Sequence, residues 1–364
     1  MLIADRDTIL AALTTAGRAA TSKGAIYGAP TLRLSSNGRT LTVTGSDPDL
    51  TITTTVEVDG DALTVNVPPK LTTDIVRALS DVVTLKDLGD ELLIASGRSE
   101  FTVRVSATDP PDIPTVDGEP VTLDATALAE GLRQVIPAAL ADDTRAPQLT
   151  GVLFEPLEKG VRLVATDSYR LAIRDIEGVS IGADEGVIIP ARALAEVRRL
   201  IEDETDAVMI TRNDTLARFA VGSTTVTTRL LRGPFPEYVR LVPTEFEGAF
   251  TASRSDLAAA IKRVCVVLAA AKDSTTPVRF SPGEGALRLR IVTTDNGTAE
   301  DWVAGTLSGD APNELAFNGR YLLDALDALT GDEATISVID HTKPAMVRGE
   351  DESMRSLIMP VRTS

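Results

Sequence analysis

Lys159-Gly160-Val161-Arg162-Leu163-Val164-Ala165-Thr166-Asp167 reads as a glycine-bearing turn followed by an apolar strand that ends on Thr-Asp. The pattern occurs twice more, from Asn37-Gly38 to Ser46-Asp47 and from Gly283-Glu284-Gly285 to Thr294-Asp295, at intervals of about 120 residues. Some 20–25 residues beyond each Asp comes a helix-opening segment. These segments are Val67-Pro68-Pro69-Lys70-Leu71, Ile189-Pro190-Ala191-Arg192-Ala193 and Phe317-Asn318-Gly319-Arg320-Tyr321. So long a period exceeds a solenoid unit and matches a small domain. Three tandem copies imply a curved or ring-shaped assembly rather than a single catalytic cleft.

Each copy opens with an amphipathic helix. Ile9, Leu10 and Leu13 mark the first (7–20), Leu128, Leu132 and Ile136 the second (124–139), and Leu257, Ile261 and Val264 the third (255–271). Asp7, Asp124 and Ser255 stand where N-caps are expected. Alternating strands follow, then a second helix at 70–79, 191–201 and 320–329, then a closing strand pair. In the first copy that pair is Val82–Leu85 with Leu92–Ala95, and an edge from Phe101 to Val105 follows. The fold class is α+β: two helices and about eight antiparallel strands per copy. Prolines at 110, 111 and 114, and again from Pro234 to Pro243, cannot continue a ladder and mark the linkers. The expected domains are 1–117, 118–243 and 244–364, and the last strand is expected over Ser356–Val361.

The 364 residues are 43% apolar, enough for several cores. No run of about 18 apolar residues suggests a membrane span. The acidic, amphipathic start Met1-Leu2-Ile3-Ala4-Asp5-Arg6-Asp7 lacks a signal-peptide layout. One cysteine, Cys265, excludes an internal disulfide framework and fits a reducing compartment. A net charge of −17 argues against a uniformly basic nucleic-acid coat, but not against cations gathered on one surface. Ala, Asp and Val enrichment with few aromatics suggests a source with a GC-rich genome, such as an actinobacterium.

Four stretches carry a resemblance. They are Val164-Ala165-Thr166-Asp167-Ser168-Tyr169-Arg170-Leu171-Ala172, Gly233-Pro234-Phe235-Pro236-Glu237-Tyr238 with Arg240 and Pro243, Phe317 to Leu326, and Met359-Pro360-Val361-Arg362. In this order and spacing they resemble the signature of the bacterial sliding clamp family, the beta subunit of DNA polymerase III. The first copy resembles that family mainly in architecture. The resemblance implies three tandem DNA-clamp domains and a head-to-tail homodimer closing a six-domain ring. Helices would line the hole, and duplex DNA would pass through it without sequence-specific contacts. A closed ring need not bind tightly, and weak phosphate contacts let it slide. Implied partners are the polymerase III alpha subunit, the clamp loader and other proteins with clamp-binding motifs. The implied location is cytoplasmic and nucleoid-associated.

The resemblance also implies a partner-peptide pocket. One side would be Leu149, Thr166, Ser168, Tyr169, Arg170, Leu171, Pro236, Arg240 and Leu241; the other would be Asn318, Tyr321, Leu357, Met359, Pro360, Val361 and Arg362. Leucines, prolines and a pliable methionine suit an apolar cleft, and the arginines and Asn318 are expected to fix a peptide backbone. The alternative from spacing alone is that Leu171, Leu241 and Leu357 are ordinary core. Departures from common family forms stand at Ser168, Tyr169, Val361 and Thr275, and at the ending Arg362-Thr363-Ser364. DNA-facing cations would be Lys23, Lys70, Arg77, Arg133, Arg192, Arg198, Arg199, Lys262, Lys272 and Arg320, with a solvated helix surface as the bland alternative. Pro147 and Gln148 fall where the family can carry aromatic DNA contacts. The ring interface would join Phe101-Thr102-Val103 of one chain to the region of Ala269-Ala270 in the other by β-augmentation. Phe101 as plain core is the competing reading.

Catalysis fits poorly. Cys265 and the only histidine, His341, lie in no nucleophile motif, and a structural thiol is the simpler reading. Asp47, Asp167 and Asp295 recur once per copy, which suits turn capping better than chemistry. Trp302 carries no pattern. No phosphate-binding loop, dinucleotide fingerprint or zinc spacing is present, so no cofactor or metal is expected. Two further readings are a specialised clamp paralogue that tolerates pocket-binding inhibitors, and a peptide-binding scaffold that does not encircle DNA. A Cys265–His341 enzyme is a more distant one.

Overall fold

The structure, a computed structural model, describes residues 1–20, 30–107, 115–141, 145–179, 181, 185–203, 207–268, 276–283, 285–293 and 297–362. Six α-helices occur among them: α1 (Arg6–Gly17), α2 (Pro69–Ala78), α3 (Ala125–Val135), α4 (Ala191–Asp203), α5 (Arg254–Cys265) and α6 (Gly319–Ala328). Two fall in each sequence copy, as expected. The described strands number nine, eight and eight in the three copies. None of the helices is long and apolar enough to cross a membrane.

The starts of the helices show where the sequence reading slips. Asp5, not Asp7, caps α1, accepting the Thr8 amide at 2.9 Å. Ser253, not Ser255, caps α5, accepting the Asp256 amide at 3.3 Å. Each helix begins two residues early because a strand runs straight into it, and the last strand residue takes the cap. α3 begins immediately after Asp124. The last strand is Met354–Ile358, so Met359 to Val361 lie beyond it.

The chain packs as two compact units. The first comprises residues 1–126 and 195–230. It holds a five-stranded sheet in the order 59–60, 2–5, 82–87, 91–96, 99–104. It also holds an eight-stranded sheet in the order 121–123, 208–212, 216–221, 224–229, 50–57, 40–46, 32–37, 62–67. α1 lies on strands 40–46 and 50–57 and buries Ile9, Leu13 and Ala16 there. Gly45 permits that approach, since a Cβ would stand 1.9 Å from the Ala16 carbonyl oxygen. Threonines knit the strands: Thr42 with Thr55, Thr44 with Thr53, and Thr54 with Thr224 at 3.1 Å. Cross-strand hydroxyl pairs of this kind contribute about 0.2–1 kcal/mol each.

The second unit comprises residues 127–194 and 231–364. Its twelve-stranded sheet runs 187–190, 151–157, 160–166, 170–177, 354–358, 345–348, 333–338, 248–253, 297–309, 286–293, 278–283, 315–317. α5 packs on strands 286–293 and 297–309 and against α6. Three sequence copies thus become two packing units because ladders cross the copy boundaries. Strand 224–229 pairs with 50–57, and strand 170–177 pairs with 354–358, in register Leu171↔Leu357.

Candidate functional site

The second of these junctions builds a groove. The turn at 166–171 is fixed by its own side chains. Asp167 accepts the Tyr169 and Arg170 amides at 2.9 and 3.0 Å. The Thr166 hydroxyl donates to the Arg170 carbonyl at 2.6 Å and accepts the Ser168 amide at 3.1 Å. Asp47 does the same for Asp49 and Leu50 at 3.0 and 2.9 Å, so two of the three recurring aspartates cap turns. Asp295 lies outside the described residues. The turn places Ser168 at φ +77°, a left-handed conformation that glycine adopts without strain.

A second wall comes from residues 235–243. Tyr238 is buried, its hydroxyl donates to the Glu155 carboxylate, and its ring meets Phe235 edge-on at 6.3 Å. Burial first, and the Glu155 hydrogen bond second, push the phenol up to about 12. Anchored so, the short turn Tyr238–Leu241 leaves Leu241 57% exposed. The third wall is the 339–344 turn, organised by Asp340, which accepts the Thr342 hydroxyl and the Thr342 and Lys343 amides. Those bonds hold the Asp340 carboxyl below the usual range. Met359, whose amide donates to the Tyr169 carbonyl at 2.8 Å, closes the end.

The enclosed space is about 540 Å³. Its wall includes Thr166, Ser168, Tyr169, Arg170, Leu171, Pro236, Arg240, Leu241, Leu357 and Met359, ten of the residues expected there. Leu149 is buried in the 147–150 turn instead. Asn318 caps α6 through its side-chain oxygen, at 2.9 Å from the Arg320 amide. Tyr321 lines a separate hollow of about 20 Å³ that shares Arg170, Leu171 and Leu357 with the groove. Pro360, Val361 and Arg362 are not part of the wall; the Val361 amide is bonded to the Ala316 carbonyl at 2.7 Å. The wall adds Tyr238, Val242, Pro243, Ile339, Lys343 and Pro344. Tyr238 and Pro243 were within the quoted motif. Ile339 to Pro344 had no sequence signal beyond a turn. Of the three leucines, Leu171 and Leu357 are buried, whereas Leu241 is open.

Arg170, expected to help fix a peptide backbone, is engaged by partners within the chain. Its guanidinium binds Asp167 at 3.0 Å and Asp324, and lies 4.3 Å from the centre of the Tyr321 ring, with 12% of the side chain exposed. It holds the 166–171 turn to α6. Arg240 pairs with Glu237 at 2.8 Å, both exposed. Lys343 has no ion pair among the described residues.

Of the expected DNA-facing cations, Lys23 and Lys272 lie outside the described residues. Lys70 and Arg77 share Asp74 on α2 at 2.7 and 2.6 Å. Arg199 pairs with Glu196 at 3.2 Å on α4, which also carries Arg192 and Arg198. Arg133 is bound to Glu130 at 2.7 Å and to the Asp327 carbonyl at 2.6 Å. Lys262 and Arg320 are exposed.

Among the strand edges of the described residues, two bear on the expected chain-to-chain pairing. Strand 99–104 has a neighbour on one side only. Strand 297–309 bonds to 286–293 through its first half and to 248–252 through its second, leaving 297–303 unpaired on one edge. Phe101 is 39% exposed, but the Val103 side chain is core, so only its backbone remains for augmentation. Ala269 and Ala270 lie outside the described residues. Val266 and Trp302 are exposed near the 297–303 edge, and Trp302 stacks with Arg288 at 5.8 Å.

No metal-ligating cluster occurs among the described residues. Burial pushes the Cys265 thiol up, away from the thiolate a nucleophile needs. It packs instead against Gly319, where a Cβ would come within 2.8 Å of its Sγ.

Family models describing the N-terminal, central and C-terminal domains of the DNA polymerase III beta subunit match residues 1–117, 122–237 and 239–362. A beta sliding clamp of Synechocystis sp. is 33% identical over 323 residues, 82% of each chain. One from Staphylococcus aureus is 29% identical over 337 residues, 88% of each chain. The crystal structure of a sliding clamp from Bartonella birtlesii bound to griselimycin superposes with a TM-score of 0.90 at 29% identity, covering 100% of this chain and 99% of that one.

Proposed function

This chain belongs to the DNA polymerase III beta subunit family, the bacterial sliding clamps, and from that premise we propose how it serves as a non-catalytic processivity factor. Each chain supplies clamp domains at 1–117, 118–243 and 244–364. Two chains join head to tail into a six-domain ring around duplex DNA. The open edge at 99–104 of one copy augments the open edge at 297–303 of the other, with Phe101 and Trp302 at the seam. Lys70, Arg77, Arg192, Arg198, Arg199, Lys262 and Arg320 face the DNA, touching phosphates only. The polymerase, the clamp loader and repair proteins dock by peptides in the groove between the 166–171 turn and residues 339–344. The ring works in the cytoplasm on the nucleoid.

The observation that carries this reading is the groove. Three separated motifs converge on one apolar cleft that is built by backbone pairing of strands 170–177 and 354–358. Tethering through it raises the polymerase's effective concentration at the primer end. The test is retention on DNA. The protein is loaded on nicked circular DNA with a clamp loader, gel-filtered, and the DNA is then linearised. A dimer held by the circle and lost from the linear form supports the ring. A monomer that is never retained overturns it and leaves a peptide-binding scaffold.

A further inference from the structure

The joint between α3 and α6 leaves one buried acceptor unsatisfied. α6 carries no basic residue in its last turn, so its final carbonyls draw partners from elsewhere. α3 supplies them: the Arg133 guanidinium donates to the Asp327 carbonyl at 2.6 Å, and Gln134 Nε2 donates to the Ala328 carbonyl at 2.7 Å. A carbonyl only accepts, so this bond fixes which end of the Gln134 amide is nitrogen. The other end, Oε1, is buried and has no hydrogen-bond partner among the described residues, in a residue that is 2% exposed. Gln134 lines the hollow of about 20 Å³, whose other polar members are Arg170, Tyr321, Asp324 and Ser356. Ser356 is 5% exposed. A water needs roughly 10–15 Å³ of such space and a few polar partners.

We propose that this hollow is a binding site for one water molecule, which donates to Gln134 Oε1 and bonds to the Ser356 hydroxyl on strand 354–358. The charges of the lining select a neutral ligand. Arg170 and Asp324 form an ion pair, so the lining has no net charge. A cation at Oε1 would sit among groups that include the Arg170 guanidinium, and an anion cannot serve an acceptor. Water both donates and accepts, and the small volume excludes a larger molecule that could do the same. The water ties α3, from the second sequence copy, to strand 354–358, from the third. It is a strut of that joint and takes no part in holding a docked peptide. It replaces the bond that the Gln134 carbonyl oxygen makes with solvent in the unfolded chain, as buried polar groups require.

A crystal structure of the full-length protein, at a resolution that shows ordered water, tests the site directly. The expected result is a single peak within about 2.7–3.2 Å of both Gln134 Oε1 and the Ser356 hydroxyl. Absence of density there, or a Gln134 amide turned so that Nε2 faces the hollow, overturns the proposal. Urea unfolding gives an independent reading, followed by the fluorescence of Trp302 in the same unit. Ser356→Ala is made in the natural chain and in a Gln134→Met background, which keeps the side-chain length and removes both polar ends. In the natural chain Ser356→Ala should lower the folded-to-unfolded ratio about fivefold, the scale of one hydrogen bond. In the Gln134→Met background it should change the ratio little, because the water has already lost its anchor. Equal losses in the two backgrounds, or no loss in either, overturn the bridge.

Discussion

Replacing Arg170 should destabilise the second unit more than any other single change at the groove. Its guanidinium is 12% exposed and pairs with Asp167, itself 8% exposed, and with Asp324, 30% exposed. Removing one partner of a buried pair costs roughly 3–5 kcal/mol, because the remaining charge is left without a partner. Most of that falls on Asp167; Asp324 is open enough for water to take over. The lost contact with the Tyr321 ring adds about 1 kcal/mol. Arg170→Met is therefore expected to cost about 4 kcal/mol. Arg170→Lys should lose about half of that, since an ammonium lacks the planar fork that spans both carboxylates. The single tryptophan, Trp302, lies in the same unit, so urea unfolding followed by its fluorescence reports on it. The mechanism has an internal check. Asp167→Asn keeps the side-chain oxygen that caps the turn and removes the charge. If the stranded charge is the cause, Arg170→Met with Asp167→Asn should be more stable than Arg170→Met alone. A cost under about 1 kcal/mol for Arg170→Met, or strict additivity in the double variant, would refute the argument.

Three further outcomes follow from the same geometry. Ser168→Gly should stabilise by about 0.5 kcal/mol, since relief of the φ +77° backbone exceeds glycine's entropy cost; a loss of stability in thermal unfolding would show the turn is not strained. Gly319→Ala should cost about 1–2 kcal/mol despite better helix propensity, because its Cβ meets Cys265 Sγ at 2.8 Å and Val278 at 3.0 Å; adding Cys265→Ala should recover part of the denaturation midpoint. Tyr238 ionises near 12 in the folded protein and near 10 when unfolded, so the native state keeps a proton the unfolded state has lost. Its contribution is intact below pH 10 and is lost as pH rises from about 10 to about 12; Tyr238→Phe should remove that alkaline sensitivity and the highest-pH component of the tyrosine absorbance titration.

The sequence exposed the helices, the strand alternation and the turn-capping aspartates because each is a local signal. Asp167 could be read as a turn cap because its acceptors are two and three residues away. What escaped was set by distant partners. Arg170 looked available because nothing in the sequence places Asp324 or Tyr321, some 150 residues on, around its guanidinium. Val103 alternates like an edge residue, yet its side chain completes a core whose other members come from residues 2 to 94. Lys343 sits in a turn beside His341 that carries no sequence sign of a groove, and only the pairing of strand 345–348 with strands 333–338 and 354–358 brings that turn to the groove. The same holds for partition. Three sequence copies were legible, but two packing units were not, since a ladder that crosses from one copy to the next leaves no trace in periodicity.

The charge pattern on the helices bears on how tightly such a protein holds DNA. Arg and Lys residues occur on all six α-helices, but Asp or Glu residues do too, and several pairs close on a single helix, as at Lys70–Asp74, Arg77–Asp74, Arg133–Glu130 and Arg199–Glu196. Cations already paired release fewer counterions when they meet phosphate, because part of their charge is compensated beforehand. The helices are therefore less acidic than the chain as a whole, at net −17, without being strongly basic. For a protein that gripped DNA by affinity this would be a defect. For one retained by closure around the duplex it is suitable, since each phosphate contact must break as the protein slides. On the proposed reading, the acidic remainder discourages binding of nucleic acid elsewhere on the surface, weak contacts fall on the helices, and retention falls to the proposed seam between chains. On this reading, substitutions at Phe101 or Trp302 bear on residence time more heavily than the loss of any one lysine or arginine.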